Sequence, residues 1–181
     1  KNPRGKKLGN SKGAWTSHLR RDVCSRIKGD PFWEPYLEQW EESKSPPGVH
    51  LAIFVEPYLR LLLEGSKTIE SRFSVHRCAP YEKVNVGDVL ILKRSGGPVV
   101  GLCQVSETLF YALGTVSLET IRAKYATALC AEDPAFWQDR KKASYATLLK
   151  VERPRTVEPL NLTKRDRRGW VVLASGHGLF P

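Results

Sequence analysis

The chain has 181 residues, a formal net charge of +10 and an apolar fraction of 41%, which suits one domain with an elaboration around a real hydrophobic core. It contains no run of 18 apolar residues, which excludes a membrane-spanning helix. No two of the four cysteines stand at CxxC spacing, so we expect reduced thiols in an intracellular protein, cytoplasmic or nuclear, with no metal and no cofactor. The basic excess favours a polyanionic partner such as nucleic acid, although a merely basic pI explains the charge equally well.

Residues 1–13 are rich in Gly, Lys and Asn and are predicted to form a basic arm. Residues 14–48 are predicted to be a helical extension that ends in a linker with two adjacent prolines. Asp30-Pro31 is typical of an N-cap followed by the first turn of a helix. The first of the two helices carries an apolar stripe at Leu19, Val23 and Ile27, and the second carries one at Trp33, Leu37 and Trp40. We therefore expect both helices to pack on the domain that follows.

After residue 48 the periodicity changes to short apolar runs separated by turns. Strands are predicted at 50–55, 68–73, 89–92, 99–105, 145–151 and 170–173. Helices are predicted at 57–64, from about Ser117 onward, and after the N-cap Asp133. Short strands with helices inserted between them indicate an α+β domain over 49–181, built as a small mixed β-barrel with surrounding helices.

The segment Gly65–Arg72 is the candidate functional site. It lies where a helix passes into a strand, and alternation puts Glu70 and Arg72 on the polar face of that strand, close to Lys67. A lysine, a carboxylate and a guanidinium held together bind phosphate or polarise a carbonyl group. From the spacing alone, however, a surface ion pair between Glu70 and Arg72 beside a solvated Lys67 is the simpler interpretation.

At this segment the chain resembles the ASCH (activating signal cointegrator homology) domains. These show a short helix and then Gly-x-Lys-Thr-x-Glu-x-Arg entering a strand, matched here by Gly65, Lys67, Thr68, Glu70 and Arg72. A later Gly-Asp turn is matched by residues 87–88, and a closing aromatic strand by residues 164–173. The resemblance covers roughly residues 50–175. It implies a PUA-like β-barrel that binds nucleic acid, RNA in preference to DNA, in a cleft around the motif.

Some small bacterial ASCH members hydrolyse N4-acetylcytidine with the motif lysine, a threonine and a downstream glutamate, and other relatives cut RNA. The resemblance therefore implies a possible hydrolase in which Lys67 and Glu70 are catalytic. Lys67 matches the lysine, but Glu70 stands where those enzymes have threonine. Candidates for the downstream acid are Glu132, Asp133 and Asp139. Whether the chain is an enzyme stays open at this point.

Further basic residues are candidates for binding nucleic acid. In addition to Lys67, Thr68 and Arg72, these are Lys93, Arg94 and Ser95 beside a Gly-Gly turn, and Lys164, Arg165, Arg167 and Arg168 near the closing strand. The turn is also compatible with ordinary solvated residues, and Trp170 is expected in the core rather than stacked on a base. A third hypothesis is a protein adaptor that uses the aromatic helix with Trp33, Tyr36 and Trp40.

Overall fold

The computed structural model describes residues 6–7, 17–163 and 167–176. Within these residues the helices are α1 (Ser17–Arg26), α2 (Trp33–Glu42), α3 (Tyr58–Leu63), α4 (Leu118–Tyr125) and α5 (Pro134–Gln138). The strands are β1 (Lys6–Lys7), β2 (Val49–Phe54), β3 (Ile69–Ser74), β4 (Val89–Arg94), β5 (Val99–Ala112), β6 (Tyr145–Leu160), β7 (Leu162–Thr163) and β8 (Trp170–Ala174). None of these helices is long and apolar enough to cross a membrane.

Six of the strands form one curled sheet in the order β3-β6-β5-β4-β2-β8. The β2–β4 pair is parallel and the other pairs are antiparallel. β1 and β7 form a separate parallel pair, so Lys6 and Lys7 of the predicted basic arm are docked, whereas the rest of that arm lies outside the described residues. This α+β architecture confirms the predicted fold class.

The two longest strands, β5 and β6, carry the curvature of the sheet. Their pairing shifts register three times, between Val99 and Gly101, Leu102 and Gln104, and Val105 and Glu107. Each shift bends and twists the ladder locally. These bulges interrupt the two-residue alternation, which explains why the predicted strands stopped at residues 105 and 151 although the observed ones continue to 112 and 160.

α1 and α2 share one hydrophobic core with the sheet. Leu19, Val23, Ile27, Trp33 and Leu37 are all buried, in the same cluster as side chains of β2, β4 and β5. The packing of these helices on the sheet was therefore predicted correctly. The indole N–H of Trp33 also donates to the Arg153 carbonyl at 3.1 Å. Because Trp33 is buried, it is not available to a protein partner; the side chain of Trp40 lies outside the described residues.

A buried polar network joins the start of β2 to β4 and β8. The Asp88 carboxylate accepts hydrogen bonds from the Gly48 N–H at 2.6 Å and from His50 Nε2 at 2.9 Å. The Trp170 indole N–H donates to His50 Nδ1 at 3.2 Å, so Nδ1 is the acceptor and Nε2–H is the donor to Asp88. The Gly-Asp turn of the family motif thus has a structural role here, and Trp170 lies in the core as expected.

Candidate functional site

A cleft of about 390 Å³ opens at the edge of the curled sheet, between β3 and the end of β2. β3 and β8 are the outermost strands, and β8 pairs with β2 only as far as Ala52, which leaves Ile53–Val55 facing β3. Side chains of α3 and of the segment around α5 complete the walls. The volume is within the range of sites that hold a single small ligand.

The predicted motif lines this cleft, and the charges of Lys67 and Glu70 are buried. Glu70, only 5% exposed, lies between two cations: its Oε2 atom is 3.4 Å from Lys67 Nζ and its Oε1 atom is 2.8 Å from Arg72 Nε. The Arg72 Nε–H group has no aligned hydrogen bond, so the shorter contact is a charge contact. The interpretation of a surface ion pair beside a solvated lysine was therefore wrong, because burial of the strand edge by α3 and α5 could not be seen in the spacing.

Lys67 is held by the protein rather than directed at solvent. Its ammonium group donates to the Ile69 carbonyl at 2.6 Å and to the Leu129 carbonyl at 3.1 Å, and it faces Glu70. These three acceptors match the three N–H groups of an ammonium. Burial lowers the pKa of Lys67, and the Glu70 carboxylate opposes that shift. Lys67 thus ties β3 to the segment after α4.

Arg72 spans the gap between the two edges of the sheet. Its Nη2 atom donates to the Ile53 carbonyl at 2.9 Å and its Nη1 atom donates to the Gly169 carbonyl at 3.2 Å. The guanidinium carbon lies 5.1 Å from the ring centroid of Phe54 and 5.3 Å from that of Trp170, which is cation–π distance. A planar, five-donor group is suited to this double role, and one guanidinium therefore closes the half-barrel.

The opposite wall of the cleft combines aromatic rings with a second guanidinium. The Arg140 guanidinium carbon lies 3.4 Å from the centroid of Phe136 and 5.5 Å from that of Phe73. Its Nη1 atom donates to the Phe136 carbonyl at 2.5 Å. Tyr58 packs edge-on against Phe136, with their centroids 5.9 Å apart. The wall therefore offers π-faces and positive charge together.

The other predicted binding residues that the structure describes are not among those that line the cleft. Lys93 is buried, and its ammonium donates to the carbonyls of Arg94 and Gly97. Arg94 is exposed and pairs with Glu56 at 3.2 Å, and the Ser95 N–H donates to the Phe54 carbonyl at 2.7 Å. Three more are exposed: Thr68, Arg167 and Arg168. Lys164 and Arg165 lie outside the described residues.

Sequence reasoning missed Tyr58, Phe136 and Arg140. Their signal in the sequence was weak: Tyr58 and Phe136 have the pattern of core residues, and Arg140 follows a five-residue helix. Of the three candidate downstream acids, Asp139 lines the cleft, whereas Asp133 caps α5 through a 2.8 Å bond from the Ala135 N–H. In the described part of the chain no group of three or more His, Cys, Asp or Glu residues is arranged to hold a metal ion.

Comparison with solved structures identifies the fold. The ASCH protein from Zymomonas mobilis superposes with a TM-score of 0.51 at 12% identity, over 62% of this chain and 73% of that one. A point mutant of the same protein gives a TM-score of 0.56 at 12% identity, over 69% and 87%. No protein-family model and no curated protein matches the sequence. The chain has an ASCH-type fold, which confirms the resemblance stated from the motif.

Proposed function

We propose that this protein binds single-stranded nucleic acid, RNA in preference to DNA, through the cleft around Gly65–Arg72. The observation that carries the proposal is the meeting of two guanidinium groups, those of Arg72 and Arg140, with aromatic rings in a cleft large enough for one nucleotide. Unpaired bases are commonly bound by stacking on aromatic side chains and on arginine planes. The preference for RNA rests on the ASCH-type fold and on the family resemblance.

The rim of the cleft supplies charge for the phosphates that flank a bound nucleotide. Arg94 lies opposite Phe54 in the β2–β4 pairing, and Arg167 stands two residues before Gly169, whose carbonyl Arg72 binds. Lys141 and Lys142 are exposed and follow Arg140 directly. With a net charge of +10, this arrangement favours a polyanion, and its affinity should fall steeply as salt is added.

Fluorescence anisotropy with labelled single-stranded and duplex RNA and DNA tests the proposal. Arg140→Gln should weaken binding of single-stranded RNA about tenfold, since stacking on one aromatic or arginine plane contributes about 1–3 kcal/mol. The matched control is Arg21→Gln, which removes the same charge from an exposed position on α1. Absence of binding at low salt, or equal losses in the two variants, would refute the proposal. Lys67→Ala is a poor probe because it removes three structural contacts.

A second candidate function is hydrolysis of RNA or of an N4-acylated cytidine in the same cleft. It is favoured by Asp139, a carboxylate that shares the cleft with Lys67 and Glu70. Because the Lys67 donors already have partners, a substrate would have to displace one of those acceptors. Chromatography of N4-acetylcytidine and of labelled RNA after incubation tests this candidate. Turnover by wild type that disappears in Asp139→Asn would support hydrolysis. If both substrates stay intact with wild type, the hydrolase function is refuted and nucleic-acid binding is the function that remains.

A further inference from the structure

The edge of β3 that faces the cleft carries main-chain groups that the sheet does not use. Among the strands that the structure describes, β3 pairs with β6 alone. In an antiparallel pair, alternate residues direct both N–H and C=O at the neighbouring strand, and the residues between them direct both away. The Val151 N–H donates to the Thr68 carbonyl at 2.9 Å, which shows that the even-numbered residues of this segment are the ones that face β6. Residues 70, 72 and 74 therefore bond to β6, and residues 69, 71 and 73 face the cleft.

Among the described residues, nothing bonds to the main-chain groups of two of these three outward residues. Ile69 is satisfied, because its carbonyl accepts from Lys67 Nζ at 2.6 Å and its N–H donates to the Ala128 carbonyl at 3.1 Å. Ser71 and Phe73 both line the cleft, and in the described part of the chain no loop or side chain bonds to their main-chain groups. The β3 edge beside the cleft thus offers two N–H donors and two C=O acceptors, at alternate residues on either side of Arg72.

We propose that the main chain of Ser71 and Phe73 reads the hydrogen-bonding edge of one unpaired base. The inference rests on the proposed function and adds the recognition element to it. The Watson–Crick edge of each base places a donor beside an acceptor, and the N–H and C=O of one outward strand residue form the complementary pair. The base ring then stacks on the wall formed by Phe136 and Arg140, and the flanking phosphates meet the basic rim.

A peptide strand is the other ligand that an open sheet edge can take, and the structure disfavours it. Addition of a strand needs an edge that stays open over several residues. Here the open edge spans only residues 71 to 73 of the described chain, because Ile69 is already bonded and β3 ends at Ser74, and the Arg72 guanidinium crosses the adjoining gap to Ile53 and Gly169. A planar base bonds to one or two residues only and therefore fits beside that crossing. The positive rim also selects an anionic chain over a neutral one.

Binding of RNA with a single base tests the proposal. The probe is a labelled oligonucleotide in which one nucleoside, A, C, G or U, stands between abasic sugar-phosphates. The best base should bind about tenfold more tightly than the fully abasic strand, and N-methylation of its Watson–Crick edge should remove that gain. Ser71→Pro deletes the N–H and should abolish the preference, whereas Ser71→Ala keeps the N–H and should retain it.

The outcomes separate the two proposals. If the abasic and methylated strands bind as tightly as the best base, the cleft binds the sugar-phosphate backbone only, so edge reading is wrong while nucleic-acid binding stands. If nothing binds at low salt, the proposed function itself fails. Preferential binding of an extended peptide would overturn the inference in favour of strand addition.

Amide hydrogen exchange on the wild-type protein avoids dependence on a proline variant. Without ligand, the Ser71 and Phe73 amides should exchange fast, and those of Glu70 and Arg72 should exchange slowly because they bond to β6. The best single-base RNA should slow the Ser71 or Phe73 amide more than about tenfold, as expected for a new hydrogen bond. Slow exchange of both amides in the free protein, or no change on binding, would overturn the inference.

Discussion

Removal of the Glu70 carboxylate is the sharpest test of the charge arrangement in the cleft. Its oxygens lie 3.4 Å from Lys67 Nζ and 2.8 Å from Arg72 Nε, and the Lys67 side chain is 3% exposed. At an effective dielectric constant of about 20, unit charges at such separations attract by about 5 kcal/mol. Part of this energy is offset by the cost of desolvating the carboxylate itself. We expect Glu70→Gln to lower the free energy of unfolding by about 3–5 kcal/mol, because it leaves two cations without their counter-charge.

Urea denaturation followed by tryptophan fluorescence measures this loss, since several tryptophans are buried. The matched control is Glu119→Gln, which removes an exposed carboxylate 3.7 Å from Arg122 and should cost at most about 1 kcal/mol. In a Lys67→Met background the Glu70→Gln loss should shrink, because one of the two stranded cations is gone. Equal, small losses for Glu70→Gln and Glu119→Gln would refute the argument that the buried cluster stabilises the fold.

Two further predictions concern pH and packing. The pKa of Lys67 in the folded protein lies below its ordinary value of 10.5, so at pH values between the two the unfolded chain binds more protons than the folded one. Wild type should therefore gain stability relative to Lys67→Met as the pH rises through that interval. Urea titrations at alkaline pH measure this gain. Gly48→Ala should lower the free energy of unfolding by about 1–3 kcal/mol, measured by thermal denaturation, because the added Cβ would lie 2.7 Å from Asp88 Oδ2. The control Gly114→Ala adds a Cβ that meets no atom within contact distance and should leave the melting temperature within about 2 °C. Equal melting temperatures for the two variants would contradict the contact argument.

Local signals in the sequence were sufficient to predict most helices and strands. Asp30 accepts the Trp33 N–H at 2.9 Å, Ser117 accepts the Thr120 N–H at 3.1 Å, and Asp133 caps α5. A helix cap involves residues only three or four positions apart, so it can be recognised from the local sequence. The motif of residues 65–72 was found for the same reason, since its members follow one another along the chain.

The composition of the cleft could not be predicted, because it depends on contacts between distant residues. Lys67 binds a carbonyl 62 residues away, and Arg72 binds one 97 residues away. The His50 ring likewise bonds to Trp170, which lies 120 residues further along the chain. Nothing local distinguishes Arg140 from a solvated arginine at a helix end. Its contact with Phe136 is local, since the two residues are four apart, but the position of this pair in the cleft follows from how α5 packs on β3 and β6.

The pairing of β2 with β8 has a consequence for synthesis of the protein. β2 is formed from residues 49–54, yet the strand that covers its outer edge is made of residues 170–174. During synthesis, the apolar β2 edge and the His50 ring therefore stay uncovered until about 120 further residues, up to Trp170, have been added. Closing such a long loop is slow, and unpaired edges favour association between chains. Nascent chains that pause before residue 170 should be the form of this protein most prone to aggregation.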